Sequence, residues 1–432
     1  MTNLFKGAYT MNASILIASL IFIIVILCIM SEKVNRTLAA MGGAMAMVLT
    51  GILPADAVSS TIDFNTIGVL IGMMLVVSTI KNSGLFEYLA IYTAKLVKGD
   101  AWKILIGFAI ITAILSAILD NVTTVLLIGP MTLVITQILK INPIPFLVTE
   151  IIASNIGGTS TLIGDPPNIM IGSAAGLGFL DFVVNLGPII IVILVITLAL
   201  LYFIYRKQLV VQKEQKEEIM ALDEKKAITN HPLLVKSIIV IFLILLGFIF
   251  HENIGISSSI VALTGATLIL LISGQDIEEI FSSIEWPTIA FFAGLFVLVG
   301  GLEAVGIIEN IANYLLRITA GHPTLTVISL LWLSAIVSGF LDNIPFVATL
   351  IPLVLTMGKG GVNTWPLWWA ISLGACLGGN GTLIGASANL VLANIGARNG
   401  HKISFKYYLK IGFPLMIVSI VVSTLYLLIF YV

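Results

Sequence analysis

Apolar stretches of bilayer-spanning length follow one another along nearly the whole chain, from Ser14–Met30 to 411–431. A helix needs about 17–25 such residues to cross the hydrocarbon layer, and inside that layer only structures that satisfy their own backbone hydrogen bonds persist. The chain is thereby restricted to a bundle of membrane helices, an all-α polytopic membrane protein. Composition agrees: 59% of residues are hydrophobic and 10% charged, with mean hydropathy +1.12, where soluble domains carry about 25% charge. The longest polar interruption, Arg206 to Pro232, is too short to fold alone, so neither a soluble domain nor a large catalytic head is expected. Ser14–Met30 lacks the small-residue exit of a cleaved signal and reads as a retained span. Cys28 and Cys376 lie in apolar segments and suggest neither a disulfide framework nor a metal site.

The chain is written twice. "IDFNTIGVLIG" begins at Ile62 and "IEWPTIAFFAG" at Ile284, a shift of 222 positions that also pairs Gly84 with Gly306, Glu87 with Glu309 and Asp120-Asn121 with Asp342-Asn343. After one deletion, a shift of 221 pairs "TLIGDPPN" at Thr161–Asn168 with "TLIGASAN" at Thr382–Asn389. The repeats are predicted at 1–206 and 233–432, joined by a cytoplasmic linker at 207–232. The first half has spans near 13–30, 37–53 and 65–82, an amphipathic piece from Gly84 suited to the interface, a long apolar run at 102–139, a Gly/Pro-broken span at 146–176 and a last span at 186–205. The second copies this at 233–250, 259–274, 287–302, 324–357, 366–397 and 411–431. Each long run is either two crossings or a re-entrant hairpin; the polar centre from Asp120 to Thr124 favours a tip at mid-depth. With hairpins, each half has five crossings and the halves insert upside down. All but Lys6, Arg317 and Lys359 of the 21 Lys and Arg then fall on one side, which the positive-inside rule makes cytoplasmic. Both termini are expected outside the cell membrane.

A carboxylate at the bilayer centre costs about 2.5–3.5 kcal/mol on insertion scales, so Asp120 and Asp342 are expected to face a cavity or an ion. Inverted repeats with broken segments are the pattern of secondary transporters, whose site lies at the repeat interface. In "SNIGGTSTLIGDPPN", Ser154 to Asn168, glycine and proline break the helix. Freed carbonyls suit a cation, and the new N-terminus suits an anion. The partner "GGNGTLIGASAN" replaces Asp165 by Ala386 and Pro166-Pro167 by Ser387-Ala388, so the two half-sites differ in charge. The predicted interior holds Asp120, Asp342 and Asp165 and no Lys or Arg, while His231, His251, His322 and His401 fall in loops or at span ends. That balance disfavours a bare multivalent anion and suits Na⁺, H⁺, a neutral species or an anion accompanied by cations. Hard oxygen ligands match a hard cation, and a buried carboxylate can carry a proton.

Plainer roles compete at each position. Glycine motifs serve close helix packing, the natural reading for Gly42-Gly43 and Gly300-Gly301 and a weaker one for Gly157-Gly158 and Gly378-Gly379. Asp120, Asp342 and Asp165 are all placed to cap helices. Glu87 and Glu309 read as solvated, Glu150 as either a proton-pathway group or a headgroup-level residue, and the charges from Arg206 to Lys226 as a solvated linker.

The motifs "SAILDNVTTVLLIGP", "NIGGTSTLIGDPPN", "SGFLDNIPFVATLIP" and "GGNGTLIGASANLV" resemble the arsenite-permease and NhaD-type sodium–proton antiporter family of the ion transporter superfamily. The resemblance covers nearly the whole chain and is strongest to the pink-eyed-dilution P protein branch, with a more distant similarity to divalent-anion sodium symporters. It implies two inverted five-helix repeats, each with a re-entrant hairpin and a broken helix, and a homodimer. In the symporter relatives the tips carry Ser-Asn-Thr motifs that hold sodium and a substrate carboxylate. The matching tips here are Asp120-Asn121-Val122-Thr123 and Asp342-Asn343-Ile344-Pro345, and the broken helices match at Gly164–Asn168 and Gly385–Asn389. Aspartate in place of serine adds negative charge where those relatives receive an anion, so the ion-site positions carry over and the dicarboxylate substrate does not.

The expected function is cation-coupled secondary transport by alternating access, foremost Na⁺/H⁺ antiport. Asp120-Asn121 with the Gly157–Gly164 backbone would form one Na⁺ site, and Asp342-Asn343 with the Gly378–Gly385 backbone its partner. Asp165, Thr159, Thr161 and Asn168 would touch the transported species. Thr123, Thr124, Asn155, Gly158, Gly164 and Pro166 complete the first half-site, and Asn380, Thr382, Gly385, Ser387 and Asn389 the second. The alternatives are an arsenite or anion permease, a sodium-coupled anion transporter, or an ion channel on the same fold. An intramembrane aspartyl hydrolase is disfavoured because Leu162-Ile163-Gly164-Asp165 lacks the first glycine of G-x-G-D. Beyond Na⁺ as coupling ion, no cofactor or nucleic-acid partner is expected, and no nucleotide-binding motif is present.

Overall fold

A computed structural model describes residues 2–31, 33–319 and 322–432, with side chains from Ala13 onward. The side chain of Lys6, assigned above to the sparsely charged face, lies outside the described residues. Every regular element among the described residues is helical, and nine helices are long and apolar enough to cross a membrane. The protein is a multi-pass membrane protein. The first half comprises α1 (Thr2–Ser31), α2 (Arg36–Leu49), α3 (Phe64–Lys81), α4 (Leu85–Leu96), α5 (Ala101–Ile118), α6 (Asn121–Ile138), α7 (Ile144–Thr159), α8 (Pro166–Ala175) and α9 (Phe179–Tyr205). The second repeats them in order as α10 (His231–Ile254), α11 (Ser258–Ser273), α12 (Trp286–Ala304), α13 (Ile307–Ile318), α14 (Pro323–Phe340), α15 (Asn343–Lys359), α16 (Trp365–Gly378), α17 (Ser387–Arg398) and α18 (Phe405–Phe430).

The packing repeats as the elements do. α5 lies along α7 as α14 lies along α16, and α2 packs on α12 as α11 packs on α3. The hairpin arm α6 meets α17 of the other half, and α15 meets α8 in return. The α7–α16 and α9–α18 contacts join matching elements directly. The halves are therefore interleaved, with equivalent helix pairs formed twice.

Close approach explains the glycines in the broken helices. A Cβ on Gly157 would strike the backbone of Ala113, and one on Gly378 the backbone of Ala335. Beside these contacts Ser116 Oγ donates to the Ser154 carbonyl and Ser338 Oγ to that of Ala375, both at 2.6 Å. The packing reading therefore holds for Gly157 and Gly378. The first hairpin closes at its base, where Leu105 and Phe108 cluster with Ile135, Leu139 and Phe146.

The linker is not simply solvated, as its charges suggested. Buried Ile219 joins the hairpin base, and Lys95 Nζ reaches Glu224 Oε2 at 2.5 Å and the Leu222 carbonyl at 2.7 Å. Lys95 holds the Glu224 carboxyl below its usual range. Gly84, at φ 80°, passes against the Ala227 carbonyl, where any Cβ would collide. Glu309 is exposed as expected, whereas Glu87 is half-buried.

Gly157→Ala is expected to destabilise the protein by about 1–3 kcal/mol through overpacking, read as a lower melting temperature in detergent. Gly42→Ala, with nothing within 4 Å of the added carbon, should not lower it; equal loss in both variants would contradict the close-approach account.

Candidate functional site

Both hairpin tips converge on one buried carboxylate at the first helix break. Asp165 sits at the start of α8 yet does not cap it; it is 0% exposed. Its Oδ1 accepts from Asn121 Nδ2 at 3.1 Å, and both its oxygens lie 3.2 Å from Asn343 Nδ2. Asn121 and Asn343 open α6 and α15 at matching positions of the repeat. A charge at Asp165 meets no Lys or Arg among the described residues. Both tips meet the protein at the α7–α8 break, at the start of α8.

An amide network continues from there. Asn121 Nδ2 also donates to Asn155 Oδ1 at 3.2 Å, and Asn155 Nδ2 donates to Asn380 Oδ1 and Asn389 Oδ1, each at 2.9 Å. The carbonyls freed by the breaks are taken by asparagines: Asn168 Nδ2 bonds the Thr159 and Thr161 carbonyls at 3.1 and 2.9 Å, and Asn389 Nδ2 those of Gly379 and Thr382 at 2.7 and 2.9 Å. In this conformation two side-chain amides fill the role assigned from sequence to a cation. Ser372 Oγ orients Asn168 from α16 at 2.6 Å.

The remaining predicted residues surround this centre. Thr159 Oγ1 donates to the Asn155 carbonyl at 2.6 Å and Thr161 Oγ1 to that of Ala117 at 2.5 Å, while Thr161 Oγ1 receives Gly164 N at 3.1 Å. Gly158 packs against Gly164, and Gly385 against Gly379, where a Cβ would not fit. Pro166 opens α8 without needing a donor. Asn380 Nδ2 lies 3.4 Å from the Ile152 carbonyl, and Thr382 Oγ1 accepts from Ile384 N at 3.2 Å. Thr124 is buried with its hydroxyl unpartnered among the described residues.

The two tip aspartates have different surroundings. Asp120 accepts from Thr123 N at 2.8 Å and Thr123 Oγ1 at 2.5 Å, and meets no Lys or Arg among the described residues. Asp342 caps α15 through Ile344 N at 3.1 Å and accepts from Ser387 Oγ at 2.7 Å and Arg36 Nη1 at 3.3 Å. Arg36 also bonds Ser387 and Thr288, and lies 5.3 Å over the Phe291 ring. Arg36, one of the loop charges in the sequence, thus reaches the second tip from the start of α2 with its side chain 32% exposed. The repeat counterpart of Arg36 is Ser258 and that of Ser387 is Pro166, so nothing equivalent reaches Asp120. The two tips thus have unequal charge surroundings, and no group of three His, Cys, Asp or Glu side chains placed to hold a metal forms among the described residues.

A cavity flanks each tip. One, of about 280 Å³, is lined by Thr123, Lys81, Glu279 and Glu285; the other, of about 300 Å³, by Asn35, Arg36, Asp342 and Asn394. Thr288 Oγ1 lies 3.1 Å from Glu285 Oε2 and also contacts Arg36, placing both cavities on one face.

Arg36→Gln should destabilise the protein more alone than when Asp342→Asn removes the charge it leaves behind. A double-mutant cycle on thermal unfolding is expected to give a coupling of about 1 kcal/mol, modest because the arginine is partly exposed; zero coupling would contradict the pair.

Known proteins place this architecture. The model of the CitMHS family, described as citrate transporters, matches residues 26–374. The chain is 41% identical over 418 residues to an uncharacterized transporter of Mycobacterium tuberculosis, covering 95% of this chain and 97% of that protein. It is 33% identical over 508 residues to the P protein of Homo sapiens, covering 98% of this chain and 61% of the relative, in keeping with the P protein branch that the motifs resemble. Its fold is similar to that of the Alcanivorax borkumensis YdaH transporter, with TM-score 0.55 over 87% of this chain and 88% of that one at 15% identity. With its paired broken helices and tips, the chain is a membrane transporter that belongs to the CitMHS citrate transporter family of the ion transporter superfamily.

Proposed function

We propose that the protein is a cation-coupled secondary transporter of the cell membrane that exchanges Na⁺ for H⁺ by alternating access, with Asp165 as its coupling carboxylate. The carrying observation is that one uncompensated carboxylate accepts hydrogen bonds from both hairpin tips. An ionised acid buried without a partner costs several kcal/mol. Either a proton or a hard cation removes that cost, and both cannot occupy the same oxygens. The binding of one therefore displaces the other. The amide oxygens around the centre and the Asp120 carboxylate supply hard ligands for Na⁺. Asp342, already paired with Arg36, serves to clamp the second tip, so the single cation site lies on the Asp120 side of Asp165.

Alternating access is supported by two cavities related through the repeat. The cavity beside Thr123 has a counterpart of about 530 Å³ lined by Asp63, Val299, Glu303 and Ala348, at the repeat positions of Glu285, Val77, Lys81 and Leu126. Each half thus builds the same kind of approach. Under inverted insertion these open to opposite faces, with Lys81 and Arg36 cytoplasmic by the positive-inside rule. A homodimer, as the resemblance implies, is consistent with this scheme and leaves each site within one chain.

A second reading is favoured by one observation: the Arg36 guanidinium lies in the cavity at the second tip, where it could meet an anion such as a carboxylate or oxyanion. Arsenite or citrate efflux would then replace sodium exchange.

In proteoliposomes with a trapped pH dye, an imposed Na⁺ gradient should drive proton flux that falls at least about tenfold in Asp165→Asn and Asp120→Asn. Undiminished flux in Asp165→Asn would sink the reading. Na⁺-independent arsenite or citrate uptake would select the second one.

A further inference from the structure

Glu150 is a buried acid that this scheme does not use. It lies on α7 five residues before Asn155, about 7.5 Å along the helix axis, and is 1% exposed. Its Oε1 accepts from Thr132 Oγ1 on α6, and its Oε2 has no partner among the described residues. The helices packed on α7 are α5, α6, α9, α16 and α17. Their titratable or charged groups are Lys103, Asp181, Tyr202, Tyr205, Cys376 and Arg398; α6 has none. None of them forms a hydrogen bond or ion pair with Glu150.

The internal repeat supplies a control. At the positions of Glu150 and Thr132 the second half has Ile371 and Val354, both 0% exposed. The same helix pairing is thus built from aliphatic side chains, which fill such a site without the cost of a buried polar group. Packing therefore does not call for an acid at 150. Position also matters: Thr132 rides on α6, the arm whose first residue, Asn121, holds Asp165. A movement of that arm changes the surroundings of both carboxyls together.

We propose that Glu150 is a second proton-binding site of the transport cycle. It takes one proton on the carboxylate, changing its charge from −1 to 0, while α6 and α7 are closed, and returns it to water when they separate. The proposal rests on the reading of H⁺ as a coupling ion and assigns it a second carrier on the hairpin-base side of Asp165.

Infrared difference spectra of the purified protein in lipid, recorded across a pH titration, test this directly. The carbonyl-stretch band of a protonated carboxyl should titrate in the wild type and in Asp165→Asn, and one such band should be missing in Glu150→Gln. The proton flux of Glu150→Gln should respond less steeply to pH than that of the wild type. Thr132→Val with Glu150→Ile, which copies the second half, should melt no lower than wild type and lack the same band, so a misfolded Gln variant would not decide the matter. Unchanged carboxyl bands in both variants would overturn the proposal. Intact flux in Asp165→Asn would defeat the sodium-exchange reading alone, because the Glu150 band is read without transport.

Discussion

Asn121 and Asn343 donate to one carboxylate, and the surrounding structure is arranged so that they can. Each asparagine opens a helix behind an aspartate cap, so its amide projects from a hairpin tip. Each tip can reach the centre only because Gly157 and Gly378 let α5 and α14 lie against the broken helices at backbone contact. The breaks create orphan carbonyls that would be costly in a membrane interior; Asn168 and Asn389 absorb them at equivalent positions. Asn121, Asn343, Asp165, Asn155, Asn380 and Asn389 thus form one connected network.

The repeat matches Asn121 with Asn343 and Asn168 with Asn389, while Asn155 and Asn380 stand opposite Cys376 and Thr159, and the charges are asymmetric. Asp165 faces Ala386 across the repeat, Arg36 faces Ser258, and Glu150 faces Ile371. The first half carries the uncompensated acids, whereas the tip acid of the second is paired with an arginine from the first. Such a division suits a carrier in which one half binds the exchanged cation and the other supplies a fixed clamp. Two equal sites would instead bring two ionised tips beside a third carboxylate.

Much of this was legible in the sequence because a repeat reports on geometry twice. The repeat shift pairs Asn121 with Asn343 and Asn168 with Asn389, the residues that the fold brings to the tips and the breaks. The Ser116 and Ser338 contacts were open to the same reasoning. What escaped lacked a counterpart or depended on long-range docking. Arg36 has no partner in the repeat and read as one more loop charge; only the fold brings it to a residue 306 positions away. Asp165 stood before Pro166 like an ordinary helix cap, and only the tertiary arrangement turns its side chain to the tips. The linker charges hid Ile219, whose burial anchors the segment to the hairpin base.

The most direct test of the central claim is the number of protons released when Na⁺ binds, measured in weakly buffered detergent solution on the wild type and Asp165→Asn. The account predicts proton release that saturates with Na⁺ in the wild type and is lost in the variant. Na⁺ binding without proton release, or equal release from both proteins, would contradict it.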